Sequence, residues 1–399
     1  MLPEKKECTA CGNCILACHY GAISLVKDDY DNLYPSVDEA KCHKCGMCAK
    51  VCPQISINHK NKPQMAYVGW SKDNIYRKIG ASGGVASTLA RHFLENNGAS
   101  NGVVINEEYE AHHIMLNSIV AKKSSNSKYT FSYMDEIVKE IADNLKSNKK
   151  CIFIGLPCQC AALIKWCYTY EIDTDLLYVV DLACHGIPAG EYFKDHIKEL
   201  MKENNIKIKE VCFRNHEVGS KKAYVFTLKN ENGQICYKKA VWNDDNYQIA
   251  YHSALMYREN CYHCKYASEN RVGDLSLADA YWMKNESKNQ KDYFRGATCV
   301  LANTQKGIDL LSNMQANNEV DLNEIELDKV LKSVKQFQRP SSPSVLHDEF
   351  FGEYAKRKNF DEVCKRVLRG ERLKRKLFYW IKPTVAAILR NEHALGKFD

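Results

Sequence analysis

The sequence lacks the features of several protein classes. No apolar segment approaches the length needed to span a bilayer, so a transmembrane helix is not expected. The first residues, MLPEKKECTACGNC, contain no apolar stretch of the kind found in a secretory signal peptide. The net charge of +7 is modest and no aromatic-basic recognition motif accompanies it, so nucleic acid is not an expected partner. These absences predict a cytoplasmic protein.

Cysteine is the residue in excess. The chain of 399 residues has 19 cysteines, an odd number, and it is far longer than a secreted disulfide scaffold. Reduced cysteines that bind metal are the better interpretation.

The chain divides into a small N-terminal unit and a larger body. Residues 1–60 are cysteine-dense, and the polar stretch 58–64 is expected to be a linker. Beyond it, short apolar segments predict buried strands, with helical patterns at 83–96, 133–147, 158–170 and 190–203. Segments 210–215, 223–230 and 234–242 predict an antiparallel meander. The prediction is an α+β fold.

One cysteine motif occurs twice, at an offset of 34 residues. Each copy has the spacing C-x2-C-x2-C-x3-C, which is typical of bacterial two-cluster ferredoxins, and the fourth cysteine of each copy ligates the other cluster. One predicted 4Fe-4S cluster is held by Cys8, Cys11, Cys14 and Cys52, and the other by Cys42, Cys45, Cys48 and Cys18. Two zinc sites are the alternative, although zinc ribbons usually separate two C-x-x-C pairs by a longer stretch. His19 and His43 are expected to be bystanders.

Four segments of the body stand out: ASGGVAST (81–88), GLPCQCAAL (155–163), DLACHGIPAG (181–190) and CYHCKYASENRVGDLSLADAYW (261–282). In this order behind a two-cluster unit, they resemble the coenzyme F420 hydrogenase/dehydrogenase beta-subunit family. The similarity covers about residues 65–350 and includes a predicted FRN turn at 213–215.

The resemblance implies a mixed α/β domain that carries FAD and a further 4Fe-4S cluster. Residues 65–150 would form its N-terminal part, 151–335 its C-terminal part with the cluster, and 336–399 a helical basic extension. Members pass electrons between clusters and a two-electron acceptor, which in archaeal members is the deazaflavin coenzyme F420. The implied partner is a redox protein or a small-molecule acceptor, and a homo-oligomer is compatible with the sequence.

The further cluster would need four thiolates. Cys158 is predicted in the first turn of a helix and Cys184 at the end of a buried strand, and strand ends on one side of a sheet converge. With Cys261 and Cys264 they complete a ligand set. Zinc in the same site is the alternative, a redox dithiol at Cys261 and Cys264 is disfavoured, and Cys160 is the substitute ligand if one is misassigned.

Flavin contacts follow mainly from the resemblance. Ser82, Gly83 and Gly84 precede a helix whose N-terminus favours an anionic group, although a plain helix cap also explains them. Arg271 is expected to stabilise reduced flavin, and Asp274 and Asp279 lie around the same short strand. A surface salt bridge with a strand cap is the alternative. Family members usually have Gly-Asp where this chain has Ala278-Asp279, which weakens a role for Asp279.

The predicted function is therefore an iron–sulfur flavoprotein oxidoreductase, with a non-catalytic electron-transfer subunit as the alternative. The basic segment 365–383 could touch an anionic membrane, but a solvated helix packed through one face is the preferred interpretation.

Overall fold

The computed structural model describes residues 2–56, 60–118, 121–215, 225–240, 245–285 and 296–373. In the N-terminal unit, called the head below (residues 2–56), two short helices flank a hairpin. These elements are α1 (Asn13–Leu16), β1 (Ile23–Lys27), β2 (Leu33–Val37) and α2 (Met47–Lys50). The hairpin is antiparallel and pairs Ile23 with Val37.

A mixed nine-stranded sheet forms the centre of the body, in the order β14-β3-β13-β12-β8-β7-β4-β5-β6. Its strands are β3 (Met65–Ser71), β4 (Ala99–Ile105), β5 (Ala111–Met115), β6 (Ser132–Tyr133), β7 (Cys151–Gly155), β8 (Leu177–Leu182), β12 (Leu275–Asp279), β13 (Thr298–Ala302) and β14 (Val320–Ile325). Strands β4, β7, β8 and β12 are mutually parallel. Their carboxyl ends consequently lie along one edge of the sheet, called the carboxyl edge below.

A separate three-stranded sheet consists of β9 (Glu210–Asn215), β10 (Val225–Lys229) and β11 (Ile235–Ala240). Both pairs are antiparallel, so the predicted meander is present. The predicted FRN turn is instead the end of β9, which extends through Asn215.

Helices surround both sheets. They are α3 (Asn74–Ile79), α4 (Val85–Glu95), α5 (Ala121–Ser124), α6 (Ile137–Lys146), α7 (Pro157–Thr169), α8 (Gly190–Asn204), α9 (Asn246–His252), α10 (Glu259–Tyr262), α11 (Gln305–Ala316), α12 (Leu327–Ser333), α13 (His347–Arg357) and α14 (Phe360–Val367). Single 3-10 turns occupy Tyr281–Asn285 and Lys335–Phe337. The four predicted helices correspond to α4, α6, α7 and α8 because their apolar spacing matches the faces they bury.

The expected C-terminal extension is part of the body where the structure describes it. Phe350 and Tyr354 of α13 and Phe360 and Val363 of α14 are fully or nearly fully buried in the core that contains α8 and α9. The rest of the basic segment, from residue 374, lies outside the described residues. Among the helices described, none combines the length and apolarity required to cross a membrane.

A buried charge network stabilises the core that contains α8, α9 and α14. The His196 ring on α8 bonds Asp361 of α14 through Nδ1 at 2.9 Å, and Asp245 at the start of α9 through Nε2 at 3.0 Å. The Tyr237 hydroxyl donates to Asp245 at 2.8 Å. Although burial opposes the charge, the two carboxylates raise the pKa of His196 to about 10, so the ring is a cation between two acids.

The head is bonded directly to the body. Asn13 donates to the carbonyl of Ala162 in α7 at 2.8 Å, and Thr169 at the end of α7 donates to the Lys50 carbonyl at 3.1 Å. The Lys265 ammonium pairs with Glu7 at 2.8 Å. Because contacts from both helices of the head are involved, the head has a defined position against α7.

Candidate metal centres

The two cysteine motifs of the head adopt the same backbone conformation. Ala10 and Lys44, which are 34 residues apart, both have positive φ, at 52° and 53°. Gly12 and Gly46 cap α1 and α2 with φ of 83° and 78°. The sequence repeat is therefore a structural repeat, in which a left-handed turn separates the first two cysteines from a short helix that carries the third.

One predicted ligand set of the head is assembled. The four residues Cys8, Cys11, Cys14 and Cys52 line a common cavity of about 380 Å³, counting its open part. Cys8 and Cys52 are 7 % and 8 % exposed. Burial, with smaller contributions from the neighbouring thiols, raises the pKa of Cys11 to about 12. The Ala10 N–H donates to Cys8 Sγ at 3.4 Å. These four cysteines are called the inner head set.

The other predicted set, Cys18, Cys42, Cys45 and Cys48, is more accessible and is called the outer head set. Cys45 is exposed and the other three are half-buried. Cys48 contributes to raising the pKa of Cys14, so the two sets adjoin. His43 is exposed and its ring packs at a tilt against that of Tyr20, with centroids 4.1 Å apart, which is compatible with a bystander role.

Three distant segments bring the four predicted body cysteines to one cavity at the carboxyl edge. Cys158 lies in the first turn of α7, directly after β7, and Cys184 follows β8. Cys261 lies on α10 and Cys264 just beyond it. All four line a cavity of about 660 Å³, counting its open part. These four cysteines are called the body set.

The pKa values of the four body-set thiols show that these side chains lie close together. Burial raises the pKa of Cys158 well above its usual value, and Cys264, Cys184 and Cys261 raise it further. The pKa of Cys261 rises to about 12 through burial and Cys264. Four thiolates lining one cavity would repel one another, so this arrangement is compatible with a bound cation that displaces the thiol protons.

The turn after Cys184 requires glycine. Gly186 has φ of 139°, and a Cβ there would lie 2.3 Å from the Tyr257 ring. This conformation lets the Ile187 N–H donate to Cys261 Sγ at 3.4 Å. A backbone hydrogen bond from Gly186 also lowers the pKa of Cys184 against the larger effect of burial. Such N–H···S bonds stabilise thiolate ligands.

The inner head set and the body set are neighbours. Cys11 lines both cavities. Tyr266, which is 2 % exposed, lies beside the two sets, and Cys158 and Cys11 both raise its pKa in addition to burial. Its hydroxyl donates to the Pro53 carbonyl at 3.2 Å and accepts from Gln54 at 3.1 Å.

Cys160, the substitute ligand considered from the sequence, faces elsewhere. Its side chain is fully buried, and its thiol donates to the Val180 carbonyl at 3.6 Å. After burial, the carboxylate of Asp181 is the main influence that raises its pKa, whereas the body set contributes to that of Cys158. The other six cysteines are four buried residues (Cys151, Cys167, Cys299, Cys364) and two half-buried ones (Cys212, Cys236).

The predicted flavin residues of segment 82–84 lie at the carboxyl edge, and their contacts are internal. The Gly83 N–H donates to Thr298 Oγ1 at 3.0 Å, and Ser82 Oγ bonds the Ala297 carbonyl. A Cβ on Gly83 would lie 2.6 Å from the Gly69 carbonyl oxygen, and one on Gly84 2.6 Å from that of Tyr76. Close packing against β3 and β13 accounts for Gly83, and close packing against α3 accounts for Gly84.

The three remaining predicted flavin residues are not brought together. Arg271 is 1 % exposed and forms an ion pair with Asp181, so the surface salt bridge considered from the sequence is instead a buried one. Asp274 precedes β12 and accepts from the Val179 N–H at 2.9 Å, at the amino end of that strand. Asp279 ends β12, about 16 Å along the strand. Of the three, Asp279 alone lies at the carboxyl edge.

The structure adds three residues that the sequence analysis did not assign. Nη1 of Arg214 on β9 donates to both carboxylate oxygens of half-buried Asp279, at 2.8 and 3.1 Å. Arg258 lines the body-set cavity and Tyr266 adjoins it. The FRN segment was a signal for Arg214, whereas no local pattern in the sequence marks Arg258. Nothing local distinguishes Tyr266.

The thiols of each set share a cavity without converging on a point. Across the described ranges, no three His, Cys, Asp or Glu side chains are grouped so as to hold a single metal ion. A tetrahedral zinc ion with Zn–S bonds of about 2.3 Å would bring its thiolates within about 3.8 Å of one another. A cubane cluster has its thiolate ligands on separate corners and so does not require them to meet at one ion.

Comparison with known proteins identifies both parts of the chain. Residues 7–55 match the family model of the 4Fe-4S dicluster domain. Residues 148–328 match the family model of the C terminus of the coenzyme F420 hydrogenase/dehydrogenase beta subunit.

Two curated relatives are distant. The coenzyme F420-dependent sulfite reductase of Methanocaldococcus jannaschii is 24 % identical over 373 residues, which cover 87 % of this chain and 52 % of that protein. This chain thus spans about half the length of that relative. The F subunit of the F420H2 dehydrogenase of Methanosarcina mazei is 24 % identical over 332 residues, 77 % of this chain and 88 % of that one.

A solved chain of the F420-reducing NiFe hydrogenase complex from Methanosarcina barkeri, in a xenon derivative, aligns with a TM-score of 0.41 and 17 % identity, over 77 % of this chain and 92 % of that one. The two family matches account for the cysteine repeat of the head and for the segments that carry the body set. Residues 148–328 thus belong to the C-terminal domain of the coenzyme F420 hydrogenase/dehydrogenase beta-subunit family, and residues 7–55 in front of them form a 4Fe-4S dicluster domain.

Proposed function

We propose that the chain is an oxidoreductase that passes electrons between three 4Fe-4S clusters and a two-electron acceptor through FAD. When bound, the clusters would carry single electrons and FAD would convert them into pairs. The outer head set, the inner head set and the body set would each hold one cluster.

The observation that carries the proposal is the succession of the three sets from the surface inward. The outer head set is accessible, with Cys45 exposed, and it adjoins the inner head set through Cys48 and Cys14. Cys11 of the inner head set also lines the cavity of the body set. This order provides an accessible site for exchange with a redox partner and an interior site at the carboxyl edge.

FAD is proposed at the carboxyl edge beside the body set. In open α/β sheets, ligands bind at the carboxyl ends of the strands. The residues of this chain that face that region are Asp279, held by Arg214, and the segment 82–84 at the start of α4. Arg271 is assigned instead to the surroundings of the body set, since it contributes to lowering the pKa of Cys184 and Cys264.

The acceptor and the partner are proposed from the relatives. Coenzyme F420 is the acceptor that their names suggest, and a protein partner is consistent with a relative that is one component of a dehydrogenase.

A second candidate function is a carrier of electrons without flavin. It is favoured by one observation: packing explains Gly83 and Gly84, and the ion pair with Asp181 explains Arg271, without any flavin contact. Flavin content separates the two candidates, because consistent absence of FAD from anaerobically purified protein would support the carrier.

The test is anaerobic quantitation of iron, sulfide and flavin in the full chain. Three clusters predict about twelve irons per chain with matching sulfide. Cys158→Ala should remove about four of these irons and one cluster signal, whereas Cys160→Ala, a matched control two residues away, should retain all of them. About eight irons with one zinc would refute the third cluster, and iron loss in Cys160→Ala with none in Cys158→Ala would refute the ligand set.

A further inference from the structure

Arg258 lies between the inner head set and the body set. It is 2 % exposed and immediately precedes α10, three residues before Cys261. Its backbone N–H donates to the Ile187 carbonyl at 2.8 Å, which fixes it to the turn after Cys184.

The guanidinium group spans the junction of head and body. Nη2 donates to the carbonyl of Leu33 at 2.9 Å and to that of Cys8 at 3.4 Å, both in the head. Nε donates to Asn260 at 3.3 Å on the body side. The group also lies over the rings of Tyr34 and Phe131, 4.9 and 5.5 Å from their centroids.

One nitrogen of the Arg258 guanidinium group makes no hydrogen bond to any described residue. Nη1 is buried and has no hydrogen-bond partner, and Arg258 lines the cavity that the body set encloses. No carboxylate in the described part of the chain forms an ion pair with it. The two other buried arginines beside the proposed redox sites differ in this respect, since Arg271 pairs with Asp181 and Arg214 with Asp279.

A guanidinium group remains charged at any pH that a protein survives. A buried cation without a counter-charge is strongly destabilising, so its retention here points to an anionic occupant of the cavity. A cluster held by four thiolates is anionic, and each added electron makes it more so. Arg258 is placed to act on both sets, because its Nη2 bonds the carbonyl of Cys8 and the residue lines the same cavity as the body set.

We propose that Arg258 sets the reduction potential of the body-set cluster, and to a smaller extent that of the inner head set, as a shared buried cation whose Nη1 donor has no hydrogen-bond partner within the described part of the chain. This inference rests on the proposed function. Net charge and hydrogen bonds to the sulfurs govern such potentials. A positive charge favours the reduced, more negative form, so Arg258 makes the body set the preferred position of an electron arriving from the head.

The experiment is an anaerobic redox titration of the full chain with dithionite, followed by electron paramagnetic resonance. Arg258→Gln should lower the equilibrium constant for one-electron reduction of the body-set cluster about tenfold or more, a shift of about 59 mV or more to lower potential. Arg258→Lys retains the positive charge, so its potential should stay close to that of the wild-type protein. Lys265→Gln removes an exposed cation beside Cys264 and should shift the potential much less, because solvent screens it.

Iron content separates the possible failures. Wild-type protein with about eight irons would overturn both the third cluster and this inference. With about twelve irons in wild type and in Arg258→Gln, an unshifted potential would overturn this inference alone. A shift in Arg258→Lys as large as in Arg258→Gln would also overturn it. The hydrogen bonds of the guanidinium group, rather than its charge, would then set the potential.

Discussion

The inner head set and the body set both place four cysteines around a cavity, but they differ in the length of chain involved. The head uses two copies of one turn, with Gly12 and Gly46 at equivalent positions. The body set is contributed by the ends of β7 and β8 and by α10, so it exists only when the sheet and its helices are folded. Closing a longer loop costs more conformational entropy. Local turns therefore define the head sites, and tertiary packing defines the body site.

The largest expected effect comes from replacing a single cysteine ligand, which should remove either the body-set cluster or the inner head cluster and leave the other in place. Cys184→Ala should remove about four irons from the body set and leave the head signals, whereas Cys14→Ala should remove about four from the head and leave the body set. The reason is that the two ligand sets share no cysteine. Iron analysis with electron paramagnetic resonance measures both. Loss of head iron in Cys184→Ala would show that the two sites do not assemble independently.

A second test weakens the body away from any ligand. His196→Ala leaves Asp245 and Asp361 as adjacent buried carboxylates and should lower the free energy of unfolding by about 3–5 kcal/mol. On heating, the variant should lose the body-set signal at a temperature where the head signals persist. His263→Ala is the control, because this exposed residue lies between two body-set cysteines and its pair with Glu259 is at the surface.

The same network predicts a pH dependence. The pKa of His196 is raised in the folded state to about 10, so its contribution to stability is complete below about 6.5. That contribution declines as the pH rises toward 10. The free energy of unfolding of the wild-type protein, measured by chemical denaturation, should therefore decrease over this pH range. In His196→Ala this pH-dependent decrease should be absent. Equal slopes for the two proteins would contradict the ion-pair assignment.

A smaller effect distinguishes packing from ligand binding at segment 82–84. Gly83→Ala should destabilise the body by about 1–3 kcal/mol, because the new Cβ overlaps the backbone of Gly69 and Thr298. Gly352→Ala in α13 meets no atom within 4 Å and should stabilise by about 0.5–1 kcal/mol. If Gly83→Ala instead folds with wild-type stability and loses flavin, packing does not explain this glycine.

The smallest expected effect is at the junction of the two sites. Tyr266→Phe removes the hydroxyl that bonds Pro53 and Gln54 and should lower stability by about 0.5–1.5 kcal/mol while all clusters remain. Tyr168→Phe, at an exposed tyrosine of α7, should be neutral. Denaturant unfolding measures both, and a larger loss confined to the head would show that this contact is a main attachment of head to body.

The features that the sequence predicted correctly depend on local pattern. The apolar spacing of residues 158–170 anticipates α7, which runs from Pro157 to Thr169. The convergence of Cys158 and Cys184 followed from their positions at the ends of two apolar strands, which the structure makes parallel neighbours.

The features that were missed depend on partners far away in the chain. Arg271 was expected near flavin, but its partner Asp181 lies 90 residues earlier and no spacing connects them. Gly83 looks the same in sequence whether a ligand or the Gly69 backbone approaches it. Arg258 is indistinguishable from a surface arginine until Leu33 and Cys8 are placed beside it.

Because Cys11 belongs to the linings of both cavities, the head forms part of the wall of the body site. The head would then shield the body-set cavity in addition to holding its own cysteine sets. A body expressed without residues 2–56 would open the cavity of the body set to water and dioxygen. Fusion of the two parts in one chain would keep this wall beside the proposed body-set cluster, whereas separate proteins would supply it only while they remain bound.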